Sequence, residues 1–160
     1  MAWKTEMVML LRHLVSDVDQ DNPTYDDDRL QETILVSSQL VNCELGFSYS
    51  IDVDECVLSP DPTLGTKDNG FINLVSLKAA CIILNSEFRT AAGRAVNFVD
   101  GPSRIDSRDT ATALKDLARA MCEGYEQAKK EYRAGNSIAG AAIVGPYRIY
   151  ADGGFRHSRG

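Results

Sequence analysis

The sequence predicts a mostly α protein: a four-helix bundle-like body, a small β-hairpin and an extended C-terminal tail. Apolar residues recur at three- and four-residue spacings in four long segments, which is the pattern of amphipathic helices. A short segment rich in β-branched and aromatic residues lies between the second and third of them. Helical periodicity ends near residue 134, and six of the 12 glycines follow it. We therefore divide the chain into a helical domain, residues 1–134, and an extended tail, residues 135–160.

The first two predicted helices flank an acidic loop. The first spans about residues 3–17, and its apolar stripe consists of Trp3, Met7, Leu10, Leu11, Leu14, Val15 and Val18. The second spans about residues 26–45, with Thr24 or Asp26 as its N-cap. Gly46 ends it, because glycine readily adopts the left-handed conformation that follows many helices. Its buried stripe consists of Leu30, Ile34, Val41 and Leu45.

A β-hairpin is predicted over about residues 47–58. Polar and apolar residues alternate there, with a break at Asp54-Glu55, so the pattern indicates two short strands. Pro60 and Pro62 follow and end the pairing.

Two longer helices complete the body. The third spans about residues 69–92, capped by Asp68 or Asn69, and its middle is apolar on all sides, which predicts the central helix. The run 95–99 fits either a strand or an extended link. The fourth helix spans about residues 107–134, and Asp106, three residues before Asp109, resembles a capping box at its start.

The charge balance excludes one class of nucleic-acid-binding protein. The chain carries 17 Lys and Arg against 23 Asp and Glu, a net charge of −6. Such a surface does not hold DNA by neutralising phosphates. Eleven of the acidic residues lie between Asp17 and Glu55, where Arg29 is the only basic residue. This run is either an ordinary solvated face or a negative surface that keeps DNA from adhering in a channel.

No membrane span or secretory signal is expected. The longest run without a charged residue, Ala134 to Tyr147, has 14 residues, and a spanning helix needs about 20. The N-terminus lacks a basic region followed by an apolar run.

The four cysteines are Cys43, Cys56, Cys81 and Cys122. Because they are widely spaced in apolar stretches, they are predicted to be thiols in the core, with neither disulfides nor zinc.

Residues 17–28 resemble an EF-hand calcium loop, with carboxylates at positions 1, 3, 5 and 12. Position 6 is Asn22 instead of glycine, and position 12 is Asp28 instead of glutamate. Two interpretations stay open: a calcium-binding helical module, or a solvated loop whose carboxylates cap helices.

The sequence predicts no enzyme, no metal and no cofactor. Its histidines are His13, expected to be partly exposed on the first helix, and His157 in the tail. A nucleophile–histidine–acid arrangement therefore has few candidate bases. The sequence also lacks the phosphate-loop, dinucleotide-binding and zinc-protease motifs. We expect no catalytic residues.

A family resemblance rests on five stretches: Leu10–Asp17, Tyr25–Leu30, Ile34–Val41, Leu77–Leu84 and Tyr125–Tyr132. They form a helix ending in an acidic loop, a helix opened by Tyr-Asp-Asp-Asp, an Ala-rich central helix and a long terminal helix. This order, over roughly residues 7–134, resembles the head–tail connector (adaptor or neck) proteins of tailed bacteriophages. The resemblance implies a virion protein, assembled in the host cytoplasm, that forms a ring of about a dozen copies beneath the portal protein.

The resemblance also implies partners and a docking segment. The partners are the portal protein, neighbouring copies in the ring and downstream tail or nozzle proteins, while DNA passes through without sequence-specific binding. Connector proteins use extended C-terminal segments to dock on the portal. The tail here is either such a segment or a passive surface arm. Its candidate docking residues are Pro146, Tyr147, Arg148, Ile149, Tyr150, Phe155 and Arg156.

Overall fold

The fold is that of a computed structural model that describes residues 2–19, 21–94, 97–100, 103–106 and 108–136. Side chains are described within 2–19, 21–94 and 111–135. Within these ranges the chain forms four helices and two hairpins. The helices are α1 (Ala2–Leu14), α2 (Asp27–Leu45), α3 (Asn69–Arg94) and α4 (Arg108–Asn136). The strands are β1 (Ser50–Asp52), β2 (Val57–Ser59), β3 (Asn97–Asp100) and β4 (Ser103–Asp106). The predicted mostly α fold is confirmed.

Helix α3 is the centre of the body, as its all-round apolar middle predicts. It packs against α1, α2 and α4, and Phe71, Val75 and Ala79 are fully buried on it. By length and composition alone, α3 would also qualify as a membrane-spanning helix. Half of its most apolar window is buried inside the body, and a core helix passes the same test. Burial against three neighbouring helices accounts for its composition.

The helices begin and end at local capping motifs, some of which were predicted from the sequence. Helix α1 ends earlier than predicted, because Ser16 adopts a left-handed φ of 61°. The Asp17 and Ser16 amides then bond to the carbonyls of Arg12 and His13, which is the Schellman pattern. Gly46 ends α2 with φ of 72°, as predicted. Asp68 caps α3, accepting a hydrogen bond from the Phe71 amide at 3.0 Å.

The predicted hairpin is present as β1 and β2. The strands are antiparallel, with Ile51 opposite Leu58, and the Asp54-Glu55 break forms the turn between them. Leu58 is buried in the main core. The hairpin is therefore attached to the helices through one strand face.

A second hairpin, β3–β4, occupies the region that the sequence left open. Phe98 lies opposite Ile105 in an antiparallel pair, so the run 95–99 contributes a strand. The prediction that Asp106 starts the last helix is wrong: it is the final residue of β4, and α4 begins at Arg108. Pairing across the intervening Gly101-Pro102 sequence, which favours a turn, competes here with helix capping.

The prediction of four core thiols is wrong. Cys81 of α3 and Cys122 of α4 form a disulfide, with Cα atoms 4.9 Å apart. Cys43 is an exposed thiol on α2 and Cys56 a half-buried one. The two bonded cysteines are 41 residues apart, and only the packing of α3 on α4 brings them together.

Candidate functional site

The proposed docking residues lie outside the described residues, but the point from which the tail leaves is described. Helix α4 ends at Asn136, one turn after Tyr132. The Tyr132 ring lies 5.1 Å from that of Phe47. Its Cε2 atom would be 3.2 Å from a Cβ atom at Gly70, so α4 closely approaches the first turn of α3. The tail therefore starts beside the N-terminus of α3.

A charged cluster holds the last turns of α4 against α2. Glu44, near the end of α2, accepts hydrogen bonds from the Tyr125 hydroxyl at 2.7 Å and the Lys129 Nζ at 3.0 Å. Lys78 Nζ of α3 contacts the same carboxylate at 3.2 Å. Arg133 donates to the Glu44 carbonyl at 2.9 Å. One carboxylate thus joins three helices close to the start of the tail.

The electrostatics of this cluster follow from its contacts. Burial alone would raise the pKa of Glu44, but hydrogen bonds from Tyr125, Lys129 and Lys78 outweigh it and lower the pKa from 4.5 to about 2. Burial and the bond to Glu44 raise the pKa of Tyr125. Lys78 and Lys129 also lie 4.5 and 5.1 Å from the centroid of the Tyr125 ring, within the range of cation–π attraction.

The Glu44 cluster predicts a loss of stability in acid. A carboxyl group whose folded pKa is depressed stabilises the fold fully above its unfolded pKa and loses that contribution as the pH falls. The free energy of unfolding should therefore decrease between about pH 4.5 and about pH 2. Urea denaturation across this range should show a smaller decrease for Glu44→Gln than for the wild type. Glu126→Gln, at a more exposed carboxylate that also pairs with Lys129, is the control. Equal pH profiles for wild type and Glu44→Gln would contradict this role.

The acidic loop between α1 and α2 is organised around Asp17. Its carboxylate forms an ion pair with Arg12 and accepts hydrogen bonds from the Thr24 amide at 2.8 Å and the Tyr25 amide at 3.3 Å. Arg12 also contacts Asp27 at 2.7 Å and donates to the Tyr25 carbonyl at 2.8 Å. Burial would raise the pKa of Asp17, but these hydrogen bonds and the Arg12 charge lower it.

Asp17, the first residue of the calcium-like loop, stabilises the connection between the two helices. The Asp17 side chain is 3% exposed, and its oxygens are engaged by two amides and a guanidinium. Among the described residues, no three His, Cys, Asp or Glu side chains are placed to hold a metal ion. The remaining loop carboxylates, Asp19, Asp21 and 26–28, are exposed. Through these contacts, Asp17 connects the end of α1 to the start of α2.

Two apolar surfaces are exposed on the body. On α2, Val36 and Leu40 are 43% and 41% exposed, and the Cys43 thiol continues their stripe by one turn. The second surface is a groove of about 370 Å³ between α1 and α3. Its lining includes Leu10, His13, Leu14, Ile72, Asn73 and Ser76. His13 is exposed, as the sequence predicts. Below we call this cavity the α1–α3 groove.

Two features of this site were not predicted, although the sequence contains a signal for each: the ion pair of Lys78 and the disulfide of Cys81. Lys78 falls on the apolar stripe of the third predicted helix, and a charge on a buried stripe indicates an ion pair. Cys81 shares that stripe, and Cys122 lies three residues before Tyr125 of the fourth. Neither signal identifies the partner, because the partner is set by how the helices pack.

The comparisons with known proteins leave the family open. No protein-family model, curated protein or solved structure matches this chain.

Proposed function

We propose that this chain is a head–tail connector subunit of a tailed bacteriophage. Copies form a ring beneath the portal protein, join the capsid vertex to the tail and leave a channel for DNA. The chain acts by assembly, and no catalytic step is assigned to it. The C-terminal tail docks on the portal, and downstream tail or nozzle proteins bind the opposite side of the ring.

The observation that carries the proposal is the firm attachment of α4 up to the start of the tail. The Cys81–Cys122 disulfide, the Glu44 cluster and the Tyr132 contact are spaced along the last four turns of α4. A tail that leaves from a fixed point samples a limited volume, which raises its effective concentration at a nearby partner site. This arrangement suits a rigid body that presents a binding arm.

The ring compensates for weak docking by a single arm. A segment that orders on binding loses conformational entropy, so one tail binds weakly. Tails repeated around a ring bind strongly together, because each bound copy raises the effective concentration of the neighbouring tails at their own sites. Apolar side chains of the tail would anchor it, while Arg148 and Arg156 would pair with portal carboxylates.

The acidic loop fits the passage of DNA. Asp19, Asp21 and residues 26–28 give it an exposed acidic surface. Such a surface repels phosphates and so lets DNA move without adhering. This supports placing the loop towards the channel.

Substitutions in the tail test the docking mechanism. We expect the triple change Tyr147→Ala, Tyr150→Ala and Phe155→Ala to weaken binding to the assembled portal by at least about tenfold, because anchoring aromatic side chains dominate such interfaces. The double change His157→Ala and Ser158→Ala, in the same tail but outside the docking set, should bind like the wild type. Affinity is measured with immobilised portal rings. Wild-type binding by the triple variant would refute docking through these residues.

A further inference from the structure

The α1–α3 groove has the chemistry of a site for an uncharged peptide segment. Leu10, Leu14 and Ile72 supply apolar surface, while Asn73 and Ser76 supply neutral hydrogen-bonding groups. None of the lining residues is Asp, Glu, Lys or Arg. The volume of about 370 Å³ lies in the range of ligand-binding cavities, roughly 300–1,000 Å³.

One residue that lines the groove, Ser76, has a buried polar atom without a partner in the described part of the chain. Ser76 is 3% exposed, and its Oγ atom makes no hydrogen bond to any of the described residues. A buried hydroxyl without a partner is unfavourable. Because the Ser76 Oγ atom is closed to solvent, the carbonyl oxygen of an occupant would accept its hydrogen bond only after the Ser76 side chain rotates towards the groove. A peptide backbone supplies such oxygens at every residue.

The end of α4 lies close to the groove, and an uncharged segment follows it in the sequence. Tyr132 packs against Gly70 in the first turn of α3, and Asn69, in that same turn, lines the groove. The tail continues from Asn136 with the residues Ser-Ile-Ala-Gly-Ala-Ala-Ile-Val, which carry no charge. Seven extended residues reach about 23 Å, so Ile143 can reach the groove from Asn136.

We propose that residues 138–144 of the same chain occupy the α1–α3 groove, with Ile143 and Val144 against its apolar wall. The small residues between Ile138 and Ile143 let the backbone approach Asn73 and Ser76 closely. The root of the tail is then held on the body, and the residues from Pro146 onward extend towards a partner. The inference concerns the free subunit, so it does not depend on which partner the residues from Pro146 onward bind.

Photo-cross-linking of the full-length chain tests the proposal without the portal. With p-benzoylphenylalanine in place of Ile143, irradiation should join the tail to peptides containing Leu10–Leu14 or Ile72–Ser76, as mapped by mass spectrometry. Leu10→Glu should reduce the yield about tenfold, because a charge replaces an apolar contact. Leu40→Glu, at a leucine of similar exposure on α2, should leave the yield unchanged.

Two further arms make the result decisive. Asn73→Arg places a large side chain in the groove from an exposed position and should also reduce the yield, which guards against misfolding of Leu10→Glu. In a mixture of light and isotopically heavy chains, the cross-links should join residues of one chain. Cross-links outside the groove, yields unaffected by both variants, or mainly light–heavy products would overturn the proposal.

Discussion

Loss of the Cys81–Cys122 disulfide is expected to lower the free energy of unfolding by about 4 kcal/mol. The bond closes a loop of 41 residues, and a cross-link stabilises a fold by restricting the unfolded chain, by about 3 kcal/mol for 15 residues and about 4.7 for 100. It also joins α4 to the central helix α3. Urea denaturation of the oxidised chain and of a Cys81→Ser, Cys122→Ser variant measures the difference.

The two free thiols provide the matched control. A Cys43→Ser, Cys56→Ser variant keeps the disulfide and should unfold within about 1 kcal/mol of the wild type, since neither side chain is fully buried. Reductant should destabilise this variant and the wild type equally. If reductant left the unfolding midpoint unchanged, or thiol titration found four free thiols without reduction, the disulfide and its role would be refuted.

Removing the Asp17 carboxylate is expected to cost about 3 kcal/mol, the second large effect. Asp17→Ala leaves the amides of Thr24 and Tyr25 and the Arg12 guanidinium without their acceptor. Breaking a buried charged pair from one side typically costs about 3–5 kcal/mol, and the partial exposure of Arg12 favours the lower end. Denaturant unfolding measures the loss. Asp17→Asn, which keeps the shape and one acceptor oxygen, should fall between Asp17→Ala and the wild type.

The same loop supplies the control. Asp21→Ala removes an exposed carboxylate and should change the free energy of unfolding by less than about 0.5 kcal/mol. Because Asp17 acts through protein contacts, millimolar calcium should not raise the melting temperature. Equal losses for Asp17→Ala and Asp21→Ala would contradict the central role of Asp17, and a calcium-dependent rise would favour the calcium-binding alternative.

Local sequence pattern sufficed for most of the secondary structure. The apolar spacing of α2 and the Gly46 signal place that helix within one residue, and the Asp68 cap places the start of α3. These features depend on neighbours in the chain. There are two exceptions. Helix α1 ends earlier than predicted, where Ser16 turns the backbone. In β4, Asp106 looks like a helix cap but pairs with Asn97 across a hairpin.

Features that depend on packing between helices escaped prediction. The Cys81–Cys122 bond and the Glu44–Tyr125 contact join residues 41 and 81 positions apart, and no spacing rule relates such positions. The Arg12–Asp17 pair is closer in the chain, yet it forms only because Ser16 turns the backbone. The α1–α3 groove likewise exists only once two helices are placed side by side. The proposed docking residues were chosen from the composition of the tail together with the connector resemblance, and they lie outside the described residues.

The connector proposal is tested most directly by the mass of the complex with the portal. The purified full-length chain, alone and mixed with the phage's portal protein, is measured by light scattering after size-exclusion chromatography. The account predicts a single large species that contains the portal ring and about a dozen copies of this chain, as multivalent docking requires. A chain that elutes separately from the portal, at the mass of a monomer, would contradict it.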